Sequence, residues 1–151
     1  MLLPMDDDEM MDIIQSLAEG LGDNFIRFGD IYCIKGEDGD DLLIMPEKIP
    51  ASRLESTYVS ASGRYCGLRV VEPGMAPGLF PMLGREVADI IRGLVKHRDG
   101  TLHNYGDGSV RYVERLIEIS AYRGSWKTLE GREARWISGR YCRLRVIKYS
   151  G

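Results

Sequence analysis

Apolar residues at helical spacing open the chain. Met10, Ile13, Ile14, Leu17 and Leu21 share one face with polar residues between them, so the pattern predicts an amphipathic helix over residues 6–21. Asp6, Asp7, Asp8 and Glu9 stand at its start, where the helix dipole favours carboxylates, and Gly20 or Gly22 offers a left-handed stop. Shorter alternating runs follow. Residues 24–28, 31–35 and 42–45 read as strands, separated by Gly29-Asp30 and by the acidic turn Gly36-Glu37-Asp38-Gly39-Asp40. Residues 57–60 read as a further strand leading into residues 62–71. In that stretch Arg64, Cys66, Leu68 and Val70 fall on one face, and Tyr65, Gly67, Arg69 and Val71 on the other.

The same order then returns. Val87, Ile90, Ile91, Leu94 and Val95 predict a helix over residues 84–97. Residues 110–122 read as a long strand, although their periodicity alone also admits a helix. Residues 138–147 carry the last strand toward Tyr149. Ser62-Gly63-Arg64-Tyr65-Cys66-Gly67-Leu68-Arg69-Val70-Val71 and Ser138-Gly139-Arg140-Tyr141-Cys142-Arg143-Leu144-Arg145-Val146-Ile147 agree at eight of ten positions, 76 residues apart. At a spacing of 77, Glu9, Asp12, Ile13, Ile14 and Leu17 match Glu86, Asp89, Ile90, Ile91 and Leu94, and Phe28-Gly29-Asp30 matches Tyr105-Gly106-Asp107. The expected fold is α+β: two tandem helix-plus-antiparallel-sheet repeats packed as a pseudo-two-fold dimer, with the two matching strands meeting near the axis. The units are residues 1–74 and 84–151. A connector, 75–83, lies in a stretch rich in proline and glycine.

The net charge of −3 hides an asymmetry. Residues 1–76 hold 6 Lys and Arg against 15 Asp and Glu, whereas residues 77–151 hold 14 against 8. Opposite signs on two related units bear on partners rather than on fold. The chain lacks the apolar run of about 18 residues that a membrane span needs. Its start has neither the basic nor the apolar region of a signal peptide, and its three cysteines are an odd number, so a reduced, cytoplasmic compartment is expected.

Candidate chemistry is sparse. Cys66 and Cys142 share a strand face with leucine and valine and read as small core residues, with no histidine in either motif to activate them. His97, Arg98 and His103 follow the second helix, where the dipole also favours cations. Asp30 and Asp107 read as turn residues, or as two carboxylates of a site between the units. No cofactor or metal set emerges. Arg64 and Arg69 recur as Arg140 and Arg145, which suggests a structural ion pair kept in both copies, with the duplicated helix acids Glu9, Asp12, Glu86 and Asp89 as the expected partners.

Two surfaces remain. Asp6, Asp7, Asp8, Glu9, Asp12, Glu37, Asp38, Asp40 and Asp41 form an acidic one. Arg111, Arg115, Arg123, Lys127, Arg132, Arg135, Tyr141, Arg143, Arg145 and Tyr149 form a basic, aromatic one. The reading is a non-enzymatic protein that docks on a protein or nucleoprotein partner. Its concrete form is an inhibitor of a nucleic-acid-handling host complex, as phage- and plasmid-encoded anti-defence proteins such as anti-CRISPRs are. The alternatives are a single-stranded nucleic-acid binder using the last strand, an enzyme or ligand-binding protein with a site between the repeats, and self-association of oppositely charged halves.

Overall fold

The computed structural model describes residues 1–19, 25–29, 31–36, 41–50, 54, 58, 60–106, 108–122 and 138–151. The fold is α+β: the described residues include two helices and a ten-stranded, mainly antiparallel sheet. The elements run β1 (Leu2–Pro4), α1 (Asp7–Ala18), β2 (Phe25–Phe28), β3 (Ile31–Ile34), β4 (Leu42–Glu47), β5 (Gly63–Pro73), β6 (Leu79–Pro81), α2 (Gly84–Leu94), β7 (Thr101–Asn104), β8 (Val110–Val113), β9 (Ile117–Ala121) and β10 (Gly139–Tyr149). The strand order is β2-β3-β4-β5-β10-β9-β8-β7, with β1 and β6 lying parallel beside the starts of β5 and β10.

The two motif strands are neighbours at the centre. β5 and β10 pair antiparallel over eleven residues, with Leu68 opposite Leu144, Gly63 opposite Tyr149 and Gly139 opposite Pro73. Leu68 and Leu144 are the same position of the repeated motif, and both are fully buried. The opening glycine of each motif has a steric reason. Gly63 and Gly139 hold φ of +150° and +144°, and a Cβ there would lie 2.2 Å from Lys148 O and 2.0 Å from Glu72 O. L side chains rarely adopt that backbone, and at such distances none fits.

Both helices cover one sheet face. Ile13, Ile14 and Leu17 of α1 and Val87, Ile91 and Leu94 of α2 share a single apolar core with Cys66, Leu68, Val70, Cys142, Leu144 and Val146. Asp6 caps α1 by accepting from Glu9 N at 2.9 Å, satisfying one of the unpaired N–H groups of the first turn. The opposite face carries two smaller apolar clusters, Met45-Val71-Leu79-Tyr141 and Ile49-Leu54-Tyr65-Ile147, with polar groups between them.

Several expectations change. α1 ends at Ala18 and α2 at Leu94, short of the residues 6–21 and 84–97 read from periodicity; Leu21 and the stops Gly20 and Gly22 lie outside the described residues. The stretch 110–122 is neither one strand nor a helix. Its chain turns back after Val113, where Glu114 N bonds to Ile117 O at 2.9 Å, and so yields β8 and β9. β1 and β6 were not expected, and β6 falls in the stretch read as connector. Of residues 57–60, Tyr58 and Ser60 are described and neither is in a strand; Tyr58 N bonds back to Leu54 O, an i to i−4 contact.

Candidate functional site

On the helix-free face the side chains fall into rows set by register. Arg69 of β5 lies opposite Arg143 of β10, and two cations directly across a ladder repel. One carboxylate resolves this. Glu47, at the end of β4, accepts from Arg143 Nη2 at 3.0 Å, from Arg69 Nη2 at 3.3 Å and from the Tyr122 hydroxyl at 2.6 Å. A second cluster centres on Glu118 of β9, which is 1% exposed. It accepts from Arg111 Nε at 2.6 Å, from the Tyr58 hydroxyl at 2.9 Å and from the Tyr149 hydroxyl. Burial and the neighbouring carboxylate push all three phenols, Tyr58, Tyr122 and Tyr149, above their ordinary range, so they stay protonated donors. Buried pairs of this kind contribute little over an apolar core, yet losing one partner costs about 3–5 kcal/mol.

Arg145 is different. Its guanidinium lies 5.3 Å from the Tyr58 ring centroid, and among the described residues it has no carboxylate partner. Tyr141 and Arg143 are 9% and 5% exposed and Ile147 is fully buried, so the last strand is not the open aromatic and basic platform its alternation suggests. Arg145 and Tyr149 are half-buried, and Arg115 is exposed at the β8–β9 turn. Arg123, Lys127, Arg132 and Arg135 lie outside the described residues, as do Asp30 and Asp107.

The acidic group divides. Asp6 is the α1 cap, and Glu9 is held by Arg64 at 2.6 Å. The matching pair in the second half is Arg140 with Glu86 at 2.9 Å, so the expected pairing with helix acids holds for Arg64 and Arg140. It does not hold for Arg69, which meets Glu47 of β4 instead, nor for Arg145, which has no carboxylate partner among the described residues. Asp7, Asp8 and Asp12 are exposed, Asp41 is half-buried, and Glu37, Asp38 and Asp40 lie outside the described residues. The outward stripe of α1 is Asp8, Asp12, Gln15 and, one residue past its end, Glu19. The residues 77 further on are Arg85, Asp89, Arg92 and Lys96, on and just after α2. All eight are exposed, and the two stripes are opposite in sign.

The cysteines are not nucleophiles. Burial pushes the Cys66 and Cys142 thiols up to about 12, leaving almost no thiolate at neutral pH. His97 and His103 are exposed. Arg98 is spent on Glu114 at 2.5 Å and on Ser16 Oγ at 2.9 Å, which ties the end of α2 to α1. Among the described residues no group of three or more His, Cys, Asp or Glu could hold a metal ion, and no helix is long and apolar enough to cross a membrane. A cleft of about 650 Å³ runs between the ends of β6 and β9, bounded by Met82, Gly84, Val87, Tyr122, Tyr141 and Arg143.

Sequence reasoning missed Glu47, Tyr58, Ser120 and Tyr122 on this face. It also passed over Glu118, although a carboxylate between two isoleucines in an alternating run is a signal of a buried partner. No protein-family model, no curated protein and no solved structure matches this chain.

Proposed function

We propose that the chain is a non-enzymatic binding protein, made of two copies of one unit packed about a pseudo-two-fold axis, that docks on a macromolecular partner through the outer faces of α1 and α2. The duplication is supported by the β5–β10 register centred on Leu68 and Leu144, by the matching glycine contacts, and by the paired ion bridges of Arg64 and Arg140. The axis would pass between the two leucines.

One observation carries the docking reading. Most charges on the sheet are paired within the molecule, whereas the two outward helix stripes are exposed and equivalent in position, and their net charges are opposite. Asp8 and Glu19 of the first stand where the second has Arg85 and Lys96, and within the second Asp89 pairs with Arg92. Fold does not require that difference, because these side chains touch solvent; recognition by charge does. The acidic stripe, Asp8, Asp12 and Glu19, suits a basic groove that otherwise takes nucleic acid, and the concrete form of the proposal is an inhibitor of such a complex, of the anti-defence kind. The single-strand-binding alternative draws less support, since Tyr141 and Arg143 are covered.

The test is competition at low salt. A labelled oligonucleotide bound to a basic nucleic-acid-handling complex of the host is titrated with wild-type protein and with the Asp8→Lys, Asp12→Lys, Glu19→Lys triple variant. Displacement by the wild type and not by the variant supports the reading. No displacement by either protein removes the inhibitor form, and equal displacement by both removes the α1 stripe as the contact.

A further inference from the structure

One row of the helix-free face stands out. Reading across neighbouring strands in register, Arg111 of β8 faces Ser120 of β9, and Ser120 faces Arg145 of β10. Side chains in register on one face project together, and strands lie about 4.8 Å apart, so the two arginines flank the serine at Cα separations on the order of 10 Å across it. Ser120 is thus a short side chain in register between two long ones. Ser120 is 8% exposed, and its buried hydroxyl has no hydrogen-bond partner among the described residues. Arg145 Nε is likewise buried and unpartnered. Arg111 gives its Nε to Glu118 while its side chain stays 44% exposed. Buried donors left without acceptors are rare in folded proteins, and each costs about 1–3 kcal/mol unless something accepts from it. Here a hydroxyl and two arginines share one row of one sheet face, and among the described residues one of the arginines, Arg145, lacks a carboxylate.

We propose that Arg111, Ser120 and Arg145 form a binding site for a small oxyanion, a phosphate or a phosphomonoester. Guanidinium groups match the oxygens of such an ion in pairs, and the serine hydroxyl supplies a third donor between them. The site lies on the sheet face opposite α1 and α2, so it stands or falls independently of docking through the helices.

Thermal unfolding in inorganic phosphate against chloride at matched ionic strength tests it, together with calorimetric titration of phosphate into the folded protein. The expected result is a saturable rise in Tm and one binding event. Arg145→Gln should weaken the apparent affinity by about tenfold or more, the scale of a lost charge-assisted hydrogen bond. Ser120→Ala keeps the question answerable should the arginine variant unfold. Removing an unpartnered buried hydroxyl leaves the phosphate-free protein as stable or more so, while its phosphate affinity should fall. Lys148→Gln, an exposed neighbour on β10, should change nothing. A nucleoside monophosphate titrated in parallel separates the two sources of the ligand: tighter binding than phosphate identifies a phosphomonoester, equal binding the free ion. No saturable response in the wild type, or a response in Arg145→Gln and Ser120→Ala equal to that of the wild type, overturns the proposal. So does binding of single-stranded oligonucleotide without any response to phosphate.

Discussion

The two halves of the chain agree where they are buried and differ where they meet solvent or the helix-free face. β1 and β6 run parallel to the starts of β5 and β10, and Met5 N and Met82 N each bond at 2.8 Å to the carbonyl of the motif tyrosine, Tyr65 or Tyr141. By contrast, Asp6 caps α1 while Leu83, 77 residues later, heads α2 with no side-chain bond. Gly67 lies under Glu47 O and the Ile49 side chain, whereas the matching Arg143 reaches for Glu47. What the comparison teaches is where freedom lies. Backbone contacts across β5 and β10 leave no alternative residue, so those positions stay alike. Outward helix positions make no such contacts, and their net charges are opposite.

The largest expected effect falls on the glycines. Gly63→Ala and Gly139→Ala each place a methyl group against a backbone carbonyl, in a conformation that alanine avoids. Each should cost about 3 kcal/mol, since backbone cannot yield as a flexible side chain can. Urea unfolding of both variants measures this. Equal costs support equivalence of the two ends of the β5–β10 ladder. A small cost at one end and a large cost at the other breaks it.

Much of this frame is legible in the sequence, for identifiable reasons. Ile13, Ile14 and Leu17 announce their face because a helix that buries one stripe must repeat it. The recurrence of Arg64 and Arg69 as Arg140 and Arg145, beside recurring helix acids, made an ion pair legible but not which members form it: Arg64 meets Glu9 and Arg140 meets Glu86, while Arg69 turns to Glu47. β1 and β6 were not, since three residues including a proline carry no period. The Glu47 and Glu118 clusters were hidden for a different reason: which carboxylate meets which arginine depends on cross-strand register, and spacing along the chain does not contain it. Alternation also separated the two faces of β10 without revealing that Ile49, Leu54 and Tyr58 cover part of the second one.

A smaller effect separates the helix starts. Asp6 and Leu83 share an extended backbone, with φ and ψ of −79° and 175° against −74° and 161°, so either position can hold a capping side chain. Asp6→Ala should cost about 1 kcal/mol, the usual worth of a cap. Leu83→Asp should add a similar amount, because it supplies an acceptor where α2 has none and removes a leucine that is 54% exposed. Thermal or urea unfolding reads both. A Leu83→Asp variant less stable than wild type would mean that this leucine, unlike Asp6, is held for a contact made in the folded protein.

The smallest effect tests the comparison most closely. Arg64 grips Glu9 in a bidentate arrangement, at 2.6 and 2.9 Å, whereas Arg140 gives one Nη2 both to Glu86 at 2.9 Å and to Pro81 O at 3.1 Å. All four side chains are about a third exposed, so solvent screens both pairs. Coupling energies from double-mutant cycles with alanine should therefore lie at about 0.2–1 kcal/mol, the first larger than the second, and both should shrink as salt is raised. The single substitutions should rank the other way round. Arg140→Ala also removes the contact that holds β6 at Pro81, while Arg64→Ala removes an ion pair alone. A larger coupling at Arg140–Glu86 than at Arg64–Glu9 would show that geometry at these sites is not what sets their strength, and that the second half of the chain has built more on its bridge than its single-nitrogen contact reveals.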